Sequence, residues 1–165
     1  QDLTDIPQIV YGVNLGITWK QFDLSLLFQG QAKVINTIQE TWVDPSSGGA
    51  GNLMQWWTED MWTPENTDGT KPRLGTPNKI NGTTFTNINA AFFKLKNAEI
   101  GYTLPVAVRE KIGVANARVY LSGTNLFSFD HMRGMGIDPE ATGSGYGGWA
   151  LNPQRLINLG VNVSF

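Results

Sequence analysis

Apolar and polar residues alternate with period two along five stretches of this chain. The last is the cleanest. Ile157, Leu159, Val161, Val163 and Phe165 fall on one side, and Asn158, Gly160, Asn162 and Ser164 on the other, with Leu156 the exception. Successive side chains of a strand point to opposite faces, so the pattern predicts a strand over about 155–165 with one apolar and one polar face.

The same reading places strands at about 8–19, 22–32, 92–104 and 117–127. In the first, Tyr11, Val13, Leu15, Ile17 and Trp19 oppose Gly12, Asn14, Gly16 and Thr18, with Val10 out of phase. In the second, Phe22, Leu24, Leu26 and Phe28 oppose Asp23, Ser25, Gln29 and Gln31, with Leu27 out of phase. Only Lys20 and Gln21 separate these two, the length of a tight hairpin. In the third, Ala98, Ile100, Tyr102 and Leu104 oppose Asn97, Glu99, Gly101 and Thr103. Its first half, 92–96, alternates in the opposite phase, which a β-bulge or a position beyond the apolar band accounts for. In the fourth, Ala117, Val119 and Leu121 oppose Arg118, Tyr120, Ser122 and Thr124. Pro105–Asn116 connects the third to the fourth, with one helical turn ending at Gly113.

Residues 33–90 and 128–153 carry no such long alternation. Asp44–Gly51 is a cluster of turn formers, and Glu65–Pro72 is turn-rich again. Between them, Asn52–Trp62 reads as a short helix capped by Asn52 and stopped before Pro64, with Leu53, Trp56, Trp57 and Met61 near helical spacing. Connections this long are functional or disordered. Their tryptophans favour order, because disordered segments are poor in aromatics.

A tilted strand of about 9–11 residues crosses a bilayer. The connections run short, very long, medium and long, so the two long ones share a side. Short periplasmic turns and long extracellular loops are the rule of outer-membrane barrels. Trp19 and Phe22 flank the short turn, where an aromatic girdle meets the membrane interface. The predicted fold is all-β: an antiparallel transmembrane β-barrel segment with two long extracellular loops. The competing reading is a soluble β-sandwich that binds carbohydrate. It requires Tyr11, Val13, Leu15 and Ile17 to be buried in a protein core.

Composition narrows the picture further. The 165 residues suffice for one ordinary domain, and the opening Gln1 suggests a processed chain or a piece of a longer one. A net charge of −2 argues against a nucleic-acid partner, which would need a basic patch. The chain has no cysteine, so no disulfide, thiolate metal site or cysteine nucleophile is available. No run is long and apolar enough for a membrane helix, which leaves barrel strands untouched as a possibility.

Candidate chemistry is sparse, and an enzyme is not expected. His131 is the single histidine and sits beside Asp130 in a loop, where a solvated side chain is the plainer reading than a catalytic dyad. Glu59 and Asp60 are adjacent and diverge on any helix; Asp138 and Glu140 flank Pro139, which argues for a turn rather than a glycosidase pair. The oxygens of Asp130, Asp138 and Glu140 suit calcium, but no recognisable loop spacing supports a site, and no metal or cofactor is expected. Gly143–Gly148 is glycine-rich without the lysine and strand-to-helix setting of a phosphate loop. The better candidates are the loop aromatics Trp42, Trp56, Trp57, Trp62, Tyr146 and Trp149, whose flat faces and polar edges suit sugar rings or protein partners. The plainer reading packs them within the loops. The polar strand face, with Asn14, Ser25, Gln29, Asn97, Glu99, Tyr120, Asn158 and Asn162, would line a lumen or touch a plug.

Several stretches resemble one family. Trp62-Thr-Pro-Glu-Asn66 with Pro72-Arg-Leu74, Phe93-Lys-Leu-Lys-Asn97 with Ile100-Gly-Tyr-Thr-Leu-Pro105, and Ala117–Phe127 are similar to segments of the SusC family, the TonB-dependent outer-membrane transporters of Bacteroidetes. Asp138-Pro-Glu140, Pro153-Gln-Arg155, the closing strand and the hairpin of Ile6–Gly12 and Phe22–Gly30 complete the set in order. No one motif is specific; their order across nearly the whole chain is. The resemblance implies the last five strands of a barrel of about 22, with extracellular loops at 33–90 and 128–153 and a plug domain outside this chain. It further implies import of oligosaccharides or oligopeptides across the bacterial outer membrane, beneath a SusD-like lipoprotein lid. The implied partners are the remaining barrel and plug, TonB-ExbB-ExbD and outer-membrane lipid. The remaining alternative is a secreted hydrolase domain, which predicts activity lost on changing an acidic residue.

Overall fold

The computed structural model describes residues 4–38, 54–73, 83–140 and 152–165. The chain divides into two compact units. One is a sheet unit of Val10–Gly30, Phe93–Phe129 and Pro153–Phe165; the other is a loop unit of Gln1–Ile9, Gln31–Phe92 and Asp130–Asn152.

The sheet unit is built from β1 (Ile9–Trp19), β2 (Phe22–Ala32), β5 (Phe92–Thr103), β6 (Asn116–Asp130) and β7 (Leu156–Ser164). Their order is β1-β2-β5-β6-β7, so every strand lies beside its neighbour along the sheet and β1 and β7 form its edges. The β1–β2 turn carries φ +55° at Lys20, the left-handed sign that both primed hairpin turns require at their first central residue. Between β5 and β6, α2 (Val106–Ile112) starts after Pro105 and ends at Gly113 in the αL conformation. This is the Pro-in, Gly-out punctuation that the sequence predicts. At the other end of the sheet the chain leaves β2 and β6 for its two long excursions and returns into β5 and β7.

Register fixes the two faces. β6 and β7 run antiparallel with Ala117↔Val163, Val119↔Val161, Leu121↔Leu159 and Gly123↔Ile157 on the apolar side. Arg118↔Asn162, Tyr120↔Gly160 and Ser122↔Asn158 lie on the polar side. A one-residue slip would exchange the faces wholesale, so the alternation itself holds the register.

Two irregularities have local causes. Phe22 packs on Tyr102 with ring centroids 4.7 Å apart, and Phe28 stacks on Phe93 at 5.3 Å. Phe22 and Phe28 are an even number of residues apart in β2, whereas Phe93 and Tyr102 are an odd number apart in β5. One extra residue must therefore be absorbed between them, a bulge, and this accounts for the inverted phase of 92–96. β6 runs past Phe127, where the alternation had ended it, to Asp130. Asn125 takes φ +52° inside it and its Nδ2 donates to the Gln154 carbonyl at 3.1 Å, just beyond the last β7 pairing at Thr124↔Leu156.

The apolar face of the sheet is open. Tyr11, Val13, Leu15 and Ile17 are 38%, 46%, 48% and 61% exposed, which is the opposite of what the sandwich reading requires. Leu159 is 76% exposed and Phe165 is also exposed. Ala98 and Gly123 leave a shallow apolar hollow of about 230 Å³ among Leu24, Ile100, Leu121, Leu126 and Ile157. No described helix is long and apolar enough to cross a membrane.

The loop unit has a core of its own. β3 (Ile35–Thr37) and β4 (Asn87–Asn89) pair antiparallel. Around them Val34, Ile38, Trp57, Ile88, Ala90, Met132 and Ile137 form one buried cluster, flanked by Met54, Trp56 and Met135. Met132 and Ile137 come from the second long segment and the others from the first, so the two are packed together rather than separate. Gln31 ties them further: its Nε2 donates to the carbonyls of Ala90 at 3.1 Å and Pro139 at 3.4 Å. The helix expected from Asn52 is shorter than its pattern, α1 (Gln55–Glu59), with Met54 at the N-cap and no side-chain cap; Asn52 lies outside the described residues.

Candidate functional site

The polar face of the sheet is organised around Arg118. Its Nε donates to both Asp23 carboxylate oxygens at 2.9 Å, and its Nη2 donates to Asp23 Oδ1 at 2.6 Å and Glu99 Oε1 at 2.8 Å. Asp23 is on β2, Glu99 on β5 and Arg118 on β6, so one guanidinium spans three strands. The planar fork of arginine suits this double engagement in a way a lysine would not. Gly101 makes it possible: a Cβ there would fall on the Arg118 guanidinium and the Asp23 carboxylate. The same device recurs one strand over, where Tyr120 lies across Gly160 and a Cβ on that glycine would meet the phenol ring. Arg118 also sits over the Tyr120 ring, 5.2 Å from its centroid.

This wall is polar, only partly shielded, and fixed by cross-strand contacts rather than by a protein core beneath it. Two carboxylates share one guanidinium, so the cluster carries one net negative charge. The alternation identifies Glu99 and Tyr120 as wall residues. It does not identify the bridge over Gly101, because the reach of a side chain across a neighbouring strand is not a periodic signal. Glycines at polar-face positions, Gly101 and Gly160 among them, were the available hint.

The loop aromatics separate into different environments. Trp57 is 1% exposed, edge-on to Trp56 at 5.6 Å, with the Lys71 ammonium 5.7 Å from its ring centroid. Trp56 packs against the same cluster. Both are committed to the loop core. Trp62 is 45% exposed. It sits on a compact loop where Trp62 N–H donates to the Lys71 carbonyl at 2.8 Å and Lys71 N–H to the Asp60 carbonyl at 2.9 Å. The Thr70 hydroxyl and amide both donate to the Asp60 carboxylate, which holds its pKa below the ordinary 3.8. Trp42, Tyr146 and Trp149 lie outside the described residues.

The acidic residues weighed for catalysis or calcium are engaged in turns. Asp130 Oδ1 accepts from Met132 N–H at 2.9 Å, and Asp138 Oδ1 from Glu140 N–H at 2.8 Å. His131 is exposed. Among the described residues, no three His, Asp or Glu side chains form a group that could hold a metal ion.

No family model matches the chain. It is 30% identical over 174 residues to TonB-dependent receptor P26 of Formosa agariphila, a match that covers 97% of this chain and 17% of that protein. It is 29% identical over 177 residues to TonB-dependent receptor P3 of the same organism, covering 96% of this chain and 16% of that one. In structure it superposes on the RagAB peptide importer in its open-open state with a TM-score of 0.74 and 27% identity, over 100% of this chain and 18% of that chain. The chain belongs to the SusC-like TonB-dependent receptors.

The chain thus spans less than a fifth of the length of the relatives it matches. As part of an outer-membrane β-barrel of this family, its five strands are an arc of wall; closure is not seen within them. An open apolar face is what the lipid-facing side of a receptor barrel presents, and a polar face such as that of Asp23, Arg118 and Glu99 is what its lumenal side presents.

Proposed function

We propose that this chain is the last five strands of a SusC-like barrel of about 22, importing an oligomeric nutrient across the outer membrane, with 33–90 and 128–153 as its extracellular loops. The observation that carries this reading is the match to TonB-dependent receptors over 97% of the chain, joined to the RagAB superposition over all of it. The step is transport by plug rearrangement driven through TonB, with a SusD-like lipoprotein closing over the loops, and no bond is made or broken in the substrate. The wall around Arg118 supplies hydrogen-bonding groups to whatever fills the lumen.

Oligopeptides are the favoured cargo. The structural relatives are named peptide importers or transporters. Trp57, one of the aromatics suited to stack on sugar, is buried in the loop core, and Trp56 packs against that core. Exposed Trp62 favours an oligosaccharide as the second reading. Uptake of labelled oligopeptide and oligosaccharide mixtures by cells with and without the full-length transporter tests the choice. Transporter- and TonB-dependent uptake of peptide alone supports the first, uptake of glycan alone supports the second, and uptake of neither class removes the import reading.

A further inference from the structure

The β5–β6 connection carries an apolar surface that the barrel wall does not use. Val106, Val108 and Ile112 of α2 are 56%, 40% and 58% exposed. Val108 and Ile112 are one turn apart and share a face, with Arg109 and Lys111 on its two flanks; Val106 and Glu110 form the opposite row. α2 stands at the same end of the sheet as the β1–β2 turn, where Trp19 is exposed beneath the Lys20 ammonium, 4.8 Å from its ring centroid. Phe22 and Tyr102 pair at that end as well. Where the connection rejoins β6, the apolar side of the sheet is covered. Leu104 N–H donates to the Ala117 carbonyl at 2.9 Å, and Ala117 is 2% exposed although its register partner Val163 is 46% exposed.

We infer that α2 is a foot on the phospholipid surface of the inner leaflet, with Val108 and Ile112 seated among the upper acyl methylenes and Lys111 at the phosphates. The occupant is lipid rather than protein because α2 stands at the end of a sheet whose apolar face is open, and Ala117, on that same face where the connection rejoins β6, is the residue that is covered. An apolar row between basic residues, beside an aromatic-lysine pair, has the chemistry of the headgroup boundary. The Arg109 guanidinium donates to the Ala115 carbonyl and pins the end of the helix, and Lys111 on the other flank is exposed, with a stem long enough to keep its charge at the polar boundary. Such a foot would fix the height and tilt of this arc of wall at its periplasmic rim.

The inference rests on the outer-membrane barrel reading, and its test separates the two. Val108→Cys, Ile112→Cys, Glu110→Cys and Leu159→Cys are made singly in the full-length transporter without other cysteines, spin-labelled and reconstituted in phospholipid nanodiscs. Collision with oxygen and with a water-soluble nickel chelate is then measured. The expected oxygen-to-nickel ratio is severalfold higher at 108 and 112 than at 110, and high at 159. Equal, water-like values at 108, 112 and 110 with a lipid-like 159 overturn the foot and leave the barrel standing. Protection of 108 and 112 from both reagents overturns it in favour of a protein partner. A water-like value at 159 rejects the barrel reading itself.

Discussion

The two units of this chain use the same residue types in opposite ways. Of the buried hydrophobic residues, Val34, Ile38, Trp57, Ile88, Ala90, Phe92, Met132 and Ile137 belong to the loop unit, and among the described residues Leu95 and Ala117 alone belong to the sheet. The sheet meanwhile leaves Leu15, Ile17, Leu121, Ile157, Leu159 and Val161 exposed. A water-soluble sheet with that face uncovered would hold a large apolar patch, far beyond what soluble surfaces tolerate. The difference teaches that one hydrophobic inventory answers to two solvents: the loop unit buries its apolar groups in itself, and the sheet presents them to lipid.

That contrast can be broken from either side. The largest effect is expected in the loop core. Trp57→Ala removes its largest fully buried side chain and should cost about 3–5 kcal/mol locally. Limited proteolysis of the reconstituted transporter should show early cleavage within 54–90, with the barrel's heat-modifiable mobility on gels unchanged. On the sheet, Leu159→Arg should cost roughly 2–4 kcal/mol where it lies near the bilayer midplane, read by urea titration of folding into vesicles. Asn158→Arg, one residue away on the lumenal face, should cost far less. If the two substitutions were equally tolerated, the assignment of faces would be wrong.

A smaller effect is expected at the wall. Arg118→Ala leaves Asp23 and Glu99 facing one another without their cation. The three side chains are 22–38% exposed, so solvent screens part of the loss, and about 1 kcal/mol is the expected cost in the same titration. Gly101→Val should reproduce it, because the added side chain occupies the path of the bridge.

The smallest effect concerns Asp60. Its carboxyl is held below the usual 3.8 by Thr70, so the folded loop favours the ionised form. That contribution is complete above the unfolded value and is lost as pH falls through the lower folded one. Protease resistance of the 60–71 loop should therefore hold from neutrality to mild acid and weaken only below about pH 4. Asp60→Asn should flatten the profile.

Much of the sheet was legible because alternation is a direct imprint of a two-sided solvent. The faces of β6 and β7 can be read residue by residue from Ala117 to Ser122 and from Ile157 to Ser164. The bulge in β5 showed as an inverted phase. What could not be read are interactions between residues far apart in sequence. Arg118 reaching Asp23 over Gly101 is one, and Met132 and Ile137 joining Val34 and Trp57 in a single core is another. The aromatics of the loops illustrate the limit: Trp57 and Trp62 look alike as letters, and only packing makes one a core residue and the other a surface.

The central claim is that the open apolar face meets lipid as part of a larger outer-membrane barrel. The most direct test is detergent extraction of the outer membrane followed by mass analysis of the polypeptide that carries these residues. Recovery of this sequence within one long, heat-modifiable barrel polypeptide in the outer-membrane fraction is the predicted result. Recovery of the 165 residues alone, water-soluble and monomeric, would contradict it.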